Sequence, residues 1–317
     1  MNDTLTQDNL SCVHSIYEQK WWLEALAPGA YRCAEVIRDN TIIGRMPYIM
    51  SKRCGFPCVR MPRLTKFAGP WIKPTNAKIA NRLGYEKEII NELIDNLPPN
   101  CSVDLSLAPE VQYFLPFYWR GFHVTPNITY RINDLTDLDK IQANFDHSSR
   151  SAVRKAEKLL VMRDDMPIDV LLELTEKTYA RQGRKDPIPQ ETVRRLDKAC
   201  RRHNAGKLLC AVDQQGKVHS AQYLVYDEKV MFGLLAGSDP ELRGSQSNSF
   251  LIWEGIKFAS KVTKAFDFEG SMIEDLERYL RSFGGSPTLY YRVTRFNPAL
   301  SFFDYIRPKI KKMIGYK

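Results

Sequence analysis

Three stretches of the sequence hold side chains whose type and spacing could do chemistry. In FDFEG (266–270), Asp267 and Glu269 stand two residues apart among phenylalanines, so on a strand both carboxylates face one side. A carboxylate there could take the proton from an attacking amine if burial lifts its proton affinity. Asp267 also has a plainer reading as a structural cap at a strand end, which leaves Glu269 the better base. In ELRGSQSN (241–248), Arg243, Gly244, Ser245, Ser247 and Asn248 precede the helical run FLIWEGI. Backbone amides at a helix N-terminus make an anion site, and Arg243 adds charge. In HSSRSAVRKAEK (147–158), Arg150, Arg154 and Lys158 recur every fourth residue with Lys155 beside them, so a helix capped by Ser148 or Ser149 lines them on one face. Positive charge on the first turns opposes the macrodipole. Either that face is solvated, or something anionic rests against it.

Those residues need elements to position them. After the basic helix come two more helical stretches, PIDVLLELTEKTYARQ and PQETVRRLDKACRRH, each with proline near its first turn. The period then changes to two for KLLCAVD, KVHSAQYLVY and KVMFGLLAG. Gln222 and Tyr223 lie in the middle strand, where they either line an acceptor pocket or pack on the sheet. The loop SDPELRGSQSNS leads into a helix, followed by strand KAFDFEG, helix IEDLERYLRSFGG and strand TLYYRVTRF. Tyr290 and Tyr291 fall on opposite faces of that last strand. Either could protonate a leaving group, or simply pack as an aromatic.

The first half follows much the same order: helix, two strands, a basic loop rich in proline and glycine, helix, then strand–helix–strand. CSVDLSLAPEVQYFLPFYWRGFHVTPNITYRI sets against KAFDFEGSMIEDLERYLRSFGGSPTLYYRV, and Asp104 precedes Gly121 by the same 17 residues that separate Asp267 from Gly284. We read two copies of one α/β unit, joined near 134–146. An aspartate kept in both copies favours the structural reading of Asp267.

The chain of 317 residues has room for two such units. No apolar run approaches the ~20 residues of a membrane-spanning helix, and the polar start MNDTLTQDNLSC lacks the order of a secretory signal. Seven scattered cysteines, with no cluster near Cys54 and Cys58, argue against zinc or any other metal and for a reducing, cytoplasmic setting. Net charge is +9, and no acidic residue occurs between Asp39 and Glu86, an interval holding Arg45, Arg60, Lys66, Lys73 and Arg82. Such a field favours phosphates, nucleic acid or an anionic membrane surface. The C-terminal SFFDYIRPKIKKMIGYK would be amphipathic and basic as a helix, suited to peripheral contact with the inner face of a membrane or to docking on its own domain.

The element order, with RSAVRKAEK (150–158), TYARQGRKDP (178–187), FDFEGSM (266–272) and RSFGG (281–285) in register, resembles the GNAT acyltransferases. In tandem it is similar to the Fem-type aminoacyltransferases and their BioF2-like relatives. The resemblance implies an α/β (α+β) fold of two GNAT-like domains, each a mixed, mostly antiparallel sheet flanked by helices. Residues 1–135 would be a degenerate copy and 136–317 the acyltransferase domain. It further implies that the donor lies where KVMFGLLAG and KAFDFEG splay, with main-chain groups polarising its carbonyl. Arg150, Arg154, Lys155 and Lys158 would then hold the phosphates of an anionic small-molecule or lipid-linked acceptor, with Lys66 and Lys73 closing the cleft. Two departures bear on the donor. No long helical arm of the kind that serves transfer RNA interrupts 150–205, and Glu241 stands where the acetyl-CoA loop has Arg or Gln. The expected activity is N-acylation of an envelope precursor or sugar-linked metabolite from acetyl-CoA or another acyl-CoA. The alternatives are an aminoacyl-tRNA-dependent transferase, its tRNA held by the basic tract, and an inactive RNA- or membrane-binding relative.

Overall fold

The structure, a computed structural model, describes residues 12–53 and 55–297, so the amphipathic C-terminal tract lies outside the described residues. Contacts divide the chain into two units: Met1–Asn127 with Tyr290–Lys317, and Ile128–Leu289. Among the described residues no helix is long and apolar enough to cross a membrane.

Unit 1 opens with α1 (Lys20–Leu26) and the hairpin of β1 (Tyr31–Arg38) and β2 (Thr41–Arg53), turned by Asp39 and Asn40, both at positive φ. The basic stretch read as loop in fact holds two short strands, β3 (Phe56–Arg60) and β4 (Trp71–Ile72). Next come α2 (Ile79–Asp95), β5 (Ser102–Ser106) and α3 (Leu115–Trp119). The sheet runs β1-β2-β3-β5, with β3 and β5 parallel. Ile89, Ile90 and Leu93 of α2 are buried in its core with Trp22 and Val103. Strand β6 (His123–Ile132) then carries the chain from one unit to the other.

Unit 2 continues with α4 (Leu138–Ala143), α5 (His147–Glu157), edge strand β7 (Leu160–Arg163), α6 (Ile168–Arg181) and α7 (Gln190–Arg202). The meander is β8 (Gly206–Asp213), β9 (Val218–Tyr226) and β10 (Val230–Ser238). It is followed by α8 (Ser247–Val262), β11 (Ala265–Asp267), α9 (Glu274–Arg281) and β12 (Ser286–Arg295). The sheet order is β6-β11-β10-β9-β8-β7, and only β10 and β11 are parallel. Alternation along β9 sorts the layers. Leu224 meets α8 at Gly255, whereas Tyr223 points the other way, its hydroxyl 2.9 Å from Asp197 of α7.

The copies exchange their last strands. β6 follows β5 and α3 in sequence but pairs with β11 of unit 2; β12 follows β11 and α9, yet its second half pairs with β5 of unit 1. The units are therefore not consecutive segments meeting near 135, because the pairing partner of each terminal strand lies in the other half of the sequence. The aspartates that mark the repeat do the same work in both units. Asp104 holds Arg292 through two bonds of 2.7 and 2.6 Å, and Asp267 holds Arg131 at 2.6 Å.

Candidate active site

Strands β10 and β11 stay paired only as far as Phe232 and Asp267. β11 ends there, while β10 runs on to Ser238. A bulge assists the parting: Gly233 and Leu235 pair with Leu224 and Tyr223, leaving Leu234 without a partner on β9. Past Phe232, the β10 edge that faced β11 carries peptide groups with no strand partner, available to a bound carbonyl. A cavity of about 310 Å³ fills the opening. Its walls are mostly apolar, with Leu234 from β10, Leu251 and Ile252 from α8, Phe266 and Phe268, and Leu280 from α9. Gln222, Asn248, Glu269 and Tyr279 supply its polar side chains.

A second cavity, of about 400 Å³, lies at the start of α8 and shares Asn248 and Tyr279 with the first. Arg243, Gly244, Ser247 and Ser249 line it. The N-cap, Gln246, sits at φ 63° and gives α8 no side-chain cap, so the opening amides are left for a ligand. A third cavity of about 390 Å³ adjoins the second through Gln246, Ser249 and Tyr279, and includes Arg278 and the N-terminus of α5. Tyr279 therefore lines all three. Its hydroxyl is 3.3 Å from Ser249 Oγ, and burial pushes its pKa up to about 12, so it is protonated at neutral pH.

Glu269 lines the apolar cavity, but not as the strand partner of Asp267. The strand has ended and the backbone turns through φ 54° at Glu269. Asp267 is fully buried and points elsewhere: it accepts from Arg131 Nε, from the Thr129 hydroxyl and, at 2.8 Å, from the Glu269 amide. It positions Glu269 and is not exposed to the cavity. Of the loop residues, Ser245 folds its hydroxyl onto Leu242 O at 2.7 Å. Tyr223 is buried against α7, away from the cavity that Gln222 lines. Tyr291 belongs to unit 1, its ring 4.5 Å from that of Phe114. Lys66 and Lys73 are in unit 1 too; the Lys66 ammonium lies 5.9 Å from the Tyr290 ring, and Lys73 is exposed.

The basic helix has a local explanation. Asp146, not Ser148 or Ser149, caps α5, accepting from the Ser149 amide at 2.7 Å. Arg150 donates to the Ala143 and Phe145 carbonyls, where the end of α4 is negative, so its guanidinium is not presented to a cavity. Arg154 and Lys155 fall in the last turn of α5, where the macrodipole favours cations. They and Lys158 are exposed. Sequence reasoning missed Tyr279 and Arg278; Tyr279 stands four residues before Phe283, whose ring it contacts edge-on at 5.3 Å, a spacing that a core tyrosine would share.

Residues 143–277 match the family model described as "Acetyltransferase (GNAT) domain". No curated protein matches the sequence at significance. Among solved structures, FemX is similar at 14% identity over 92% of this chain and 96% of its own, with a TM-score of 0.70. L-PGS from Bacillus licheniformis is similar at 12% identity, covering 93% of this chain and 92% of its own, with a TM-score of 0.53. The C-terminal domain of a protein described as a lysylphosphatidylglycerol synthetase, from Agrobacterium fabrum, gives 10% identity, coverage of 84% and 85%, and a TM-score of 0.52. These likenesses speak for the fold.

Proposed function

We propose that the donor of this acyltransferase, whose residues 143–277 match the acetyltransferase (GNAT) domain model, is an acyl-CoA bound in the two joined cavities of unit 2. One observation carries this reading: an apolar cavity at parted strands runs, through Asn248 and Tyr279, into a polar cavity at an uncapped helix N-terminus. A thioester arm with a phosphate-bearing head matches that sequence of environments. The head would rest on the α8 amides and Arg243, and the carbonyl would take hydrogen bonds from the unpaired edge of β10.

The acceptor amine attacks the carbonyl carbon, a C–N bond forms and the C–S bond breaks. Glu269 takes the proton leaving the amine, and the Tyr279 hydroxyl gives one to the departing thiolate. The acceptor we favour is an amino group on a phosphate-bearing envelope precursor or sugar-linked metabolite, met by the exposed Arg154, Lys155 and Lys158. A second reading, transfer from aminoacyl-tRNA, is supported by Glu241 in the phosphate loop and by the likenesses to FemX and to lysylphosphatidylglycerol synthetase.

Titration with CoA and acetyl-CoA, followed by thiol release on addition of amino-sugar nucleotides, separates these. The acyl-CoA reading expects saturable binding, weakened about tenfold by Arg243→Ala, and turnover indifferent to ribonuclease. Turnover only with charged tRNA, abolished by ribonuclease, would replace it with the second reading. RNA or vesicle binding without any transfer would leave a non-catalytic relative.

A further inference from the structure

The α9 wall of the apolar cavity continues beyond the cavity. Ile273, Leu276, Leu280 and Phe283 recur at spacings of three and four, so they share one face of α9 and of the residues that flank it. Exposure falls steadily along that face, from 68% at Ile273 through 44% at Leu276 and 9% at Leu280 to 0% at Phe283. Leu276 and Leu280 both line the cavity. The stripe therefore climbs from the core, along the cavity wall, to a lip in water, where the exposed Met272 widens it. Exposed apolar side chains scattered singly are ordinary, but a run that prolongs a cavity wall marks a place for an apolar ligand.

Charge and size narrow what lies there. Residues 265–277 include Asp267, Glu269, Glu274, Asp275 and Glu277 and no basic residue, and Glu274 and Asp275 are exposed beside the lip. Such a surround repels an anionic bilayer or a phosphate group and is indifferent to an uncharged hydrocarbon chain. The cavity of about 310 Å³ holds about ten groups the size of a water molecule, at ~30 Å³ each, and an acetyl group fills only a small part of it. From Leu280 to Ile273 the stripe runs about 10 Å, which an extended chain covers in about eight carbons, its C–C bonds being ~1.5 Å long and zigzagged. With the phosphate head at the N-terminus of α8 and the carbonyl on the edge of β10, the part of the donor left to follow α9 is its acyl chain.

We infer that the donor carries a medium-length hydrocarbon acyl group, which runs from the thioester over Leu280 and Leu276 to the lip at Met272 and Ile273, and that this stripe sets the chain length accepted. This rests on the donor-site reading above.

Equilibrium binding to the full chain tests it without knowledge of the acceptor. The probes are CoA and its acetyl, butyryl, hexanoyl, octanoyl and decanoyl thioesters, each kept below its micelle concentration. The expected result is an affinity that rises about threefold for each added methylene and levels off past octanoyl. Replacing Leu276 and Ile273 together, Leu276→Ser with Ile273→Ser, should cut the octanoyl-to-acetyl ratio about tenfold; being a ratio, it is insensitive to a general weakening of the site. Equal affinities across the series, or a preference for acetyl, with CoA still bound, would overturn the inference and leave the donor site standing. A gain with chain length that the serine substitutions do not touch would also overturn it, since the chain would then lie on another wall. No binding of CoA or any thioester would remove the donor site, and the inference with it. The native series needs no variant, and Leu276→Ser alone serves if the double substitution fails to fold.

Discussion

Glu269 is held in a conformation that side chains other than glycine avoid, at φ 54°, and it lines the cavity. A left-handed residue costs about 1–2 kcal/mol, while glycine returns roughly 0.5–1 kcal/mol of that through the unfolded chain's entropy. Glu269→Gly should therefore leave the protein equally stable or more stable by up to about 1 kcal/mol, and still lower kcat about a hundredfold through loss of the proton acceptor. Urea melts beside thiol-release assays would check it, and a clear loss of stability would end the strain account. Tyr279 yields a second prediction with a definite sign. Its proton affinity is raised by burial, to a pKa of about 12 against about 10 in the unfolded chain. The folded state thus keeps a proton that the unfolded state releases, and this contribution is intact below about pH 10 and lost as pH climbs towards 12. Tyr279→Phe should flatten that alkaline decline, measured by melts from pH 9 to 12, and reduce kcat about a hundredfold near neutrality. Gln222, Asn248 and Arg243 were readable as candidates because a strand facing the helix layer and a loop before a helix announce them, whereas Glu269 was named by an alternation that does not reach it, since β11 ends at Asp267 and the chain turns at φ 54°. Tyr279 was not, since a tyrosine on an amphipathic helix looks the same whether it meets core or cavity.

At the scale of elements, the motif RSFGG explains itself as a joint. Ser282 O accepts from the Asp146 amide at 2.8 Å, the Ser282 and Ser149 hydroxyls lie 2.6 Å apart, and Phe283 is fully buried. Gly284 ends α9 at φ 73°, where a Cβ would come within 2.7 Å of Asn144 O. Its counterpart in the first copy, Gly121, has φ 77° but nothing within 4 Å. Both alanine substitutions meet the left-handed cost of about 1–2 kcal/mol; only Gly284→Ala adds a collision with main chain, about 1–3 kcal/mol more. Gly284→Ala should thus be the more destabilising by urea denaturation, and should also depress activity by displacing Tyr279. Equal costs at the two sites would show that the joint yields. The helices and the meander were legible because their periods run over many residues. The short strands β3, β4 and β7 were not, since Phe56–Arg60, Trp71–Ile72 and Leu160–Arg163 are too brief to establish a period among basic and turn residues.

Across the whole molecule, the exchange of terminal strands was invisible to a reading that follows chain order, because sequence adjacency suggests that a strand pairs within its own copy. The consequence is measurable with two fragments, 128–289 and 136–289, which differ only in the end of β6 and the turn after it. The longer keeps Thr129 and Arg131 against Asp267, as well as the buried Ile132 and Leu135. The shorter leaves the Asp267 carboxylate, fully buried in the native unit, with neither its cation nor its hydroxyl donor. Breaking one side of a buried pair costs about 3–5 kcal/mol, a large share of the ~5–15 kcal/mol that holds a domain together. Fragment 128–289 should unfold cooperatively in urea and 136–289 should not, while a peptide of residues 123–135 supplied in trans should restore a transition to the shorter fragment. Cooperative unfolding of 136–289 by itself would mean that β11 does not need the strand donated by the first copy, and that the aspartate shared by both repeats is dispensable to the fold.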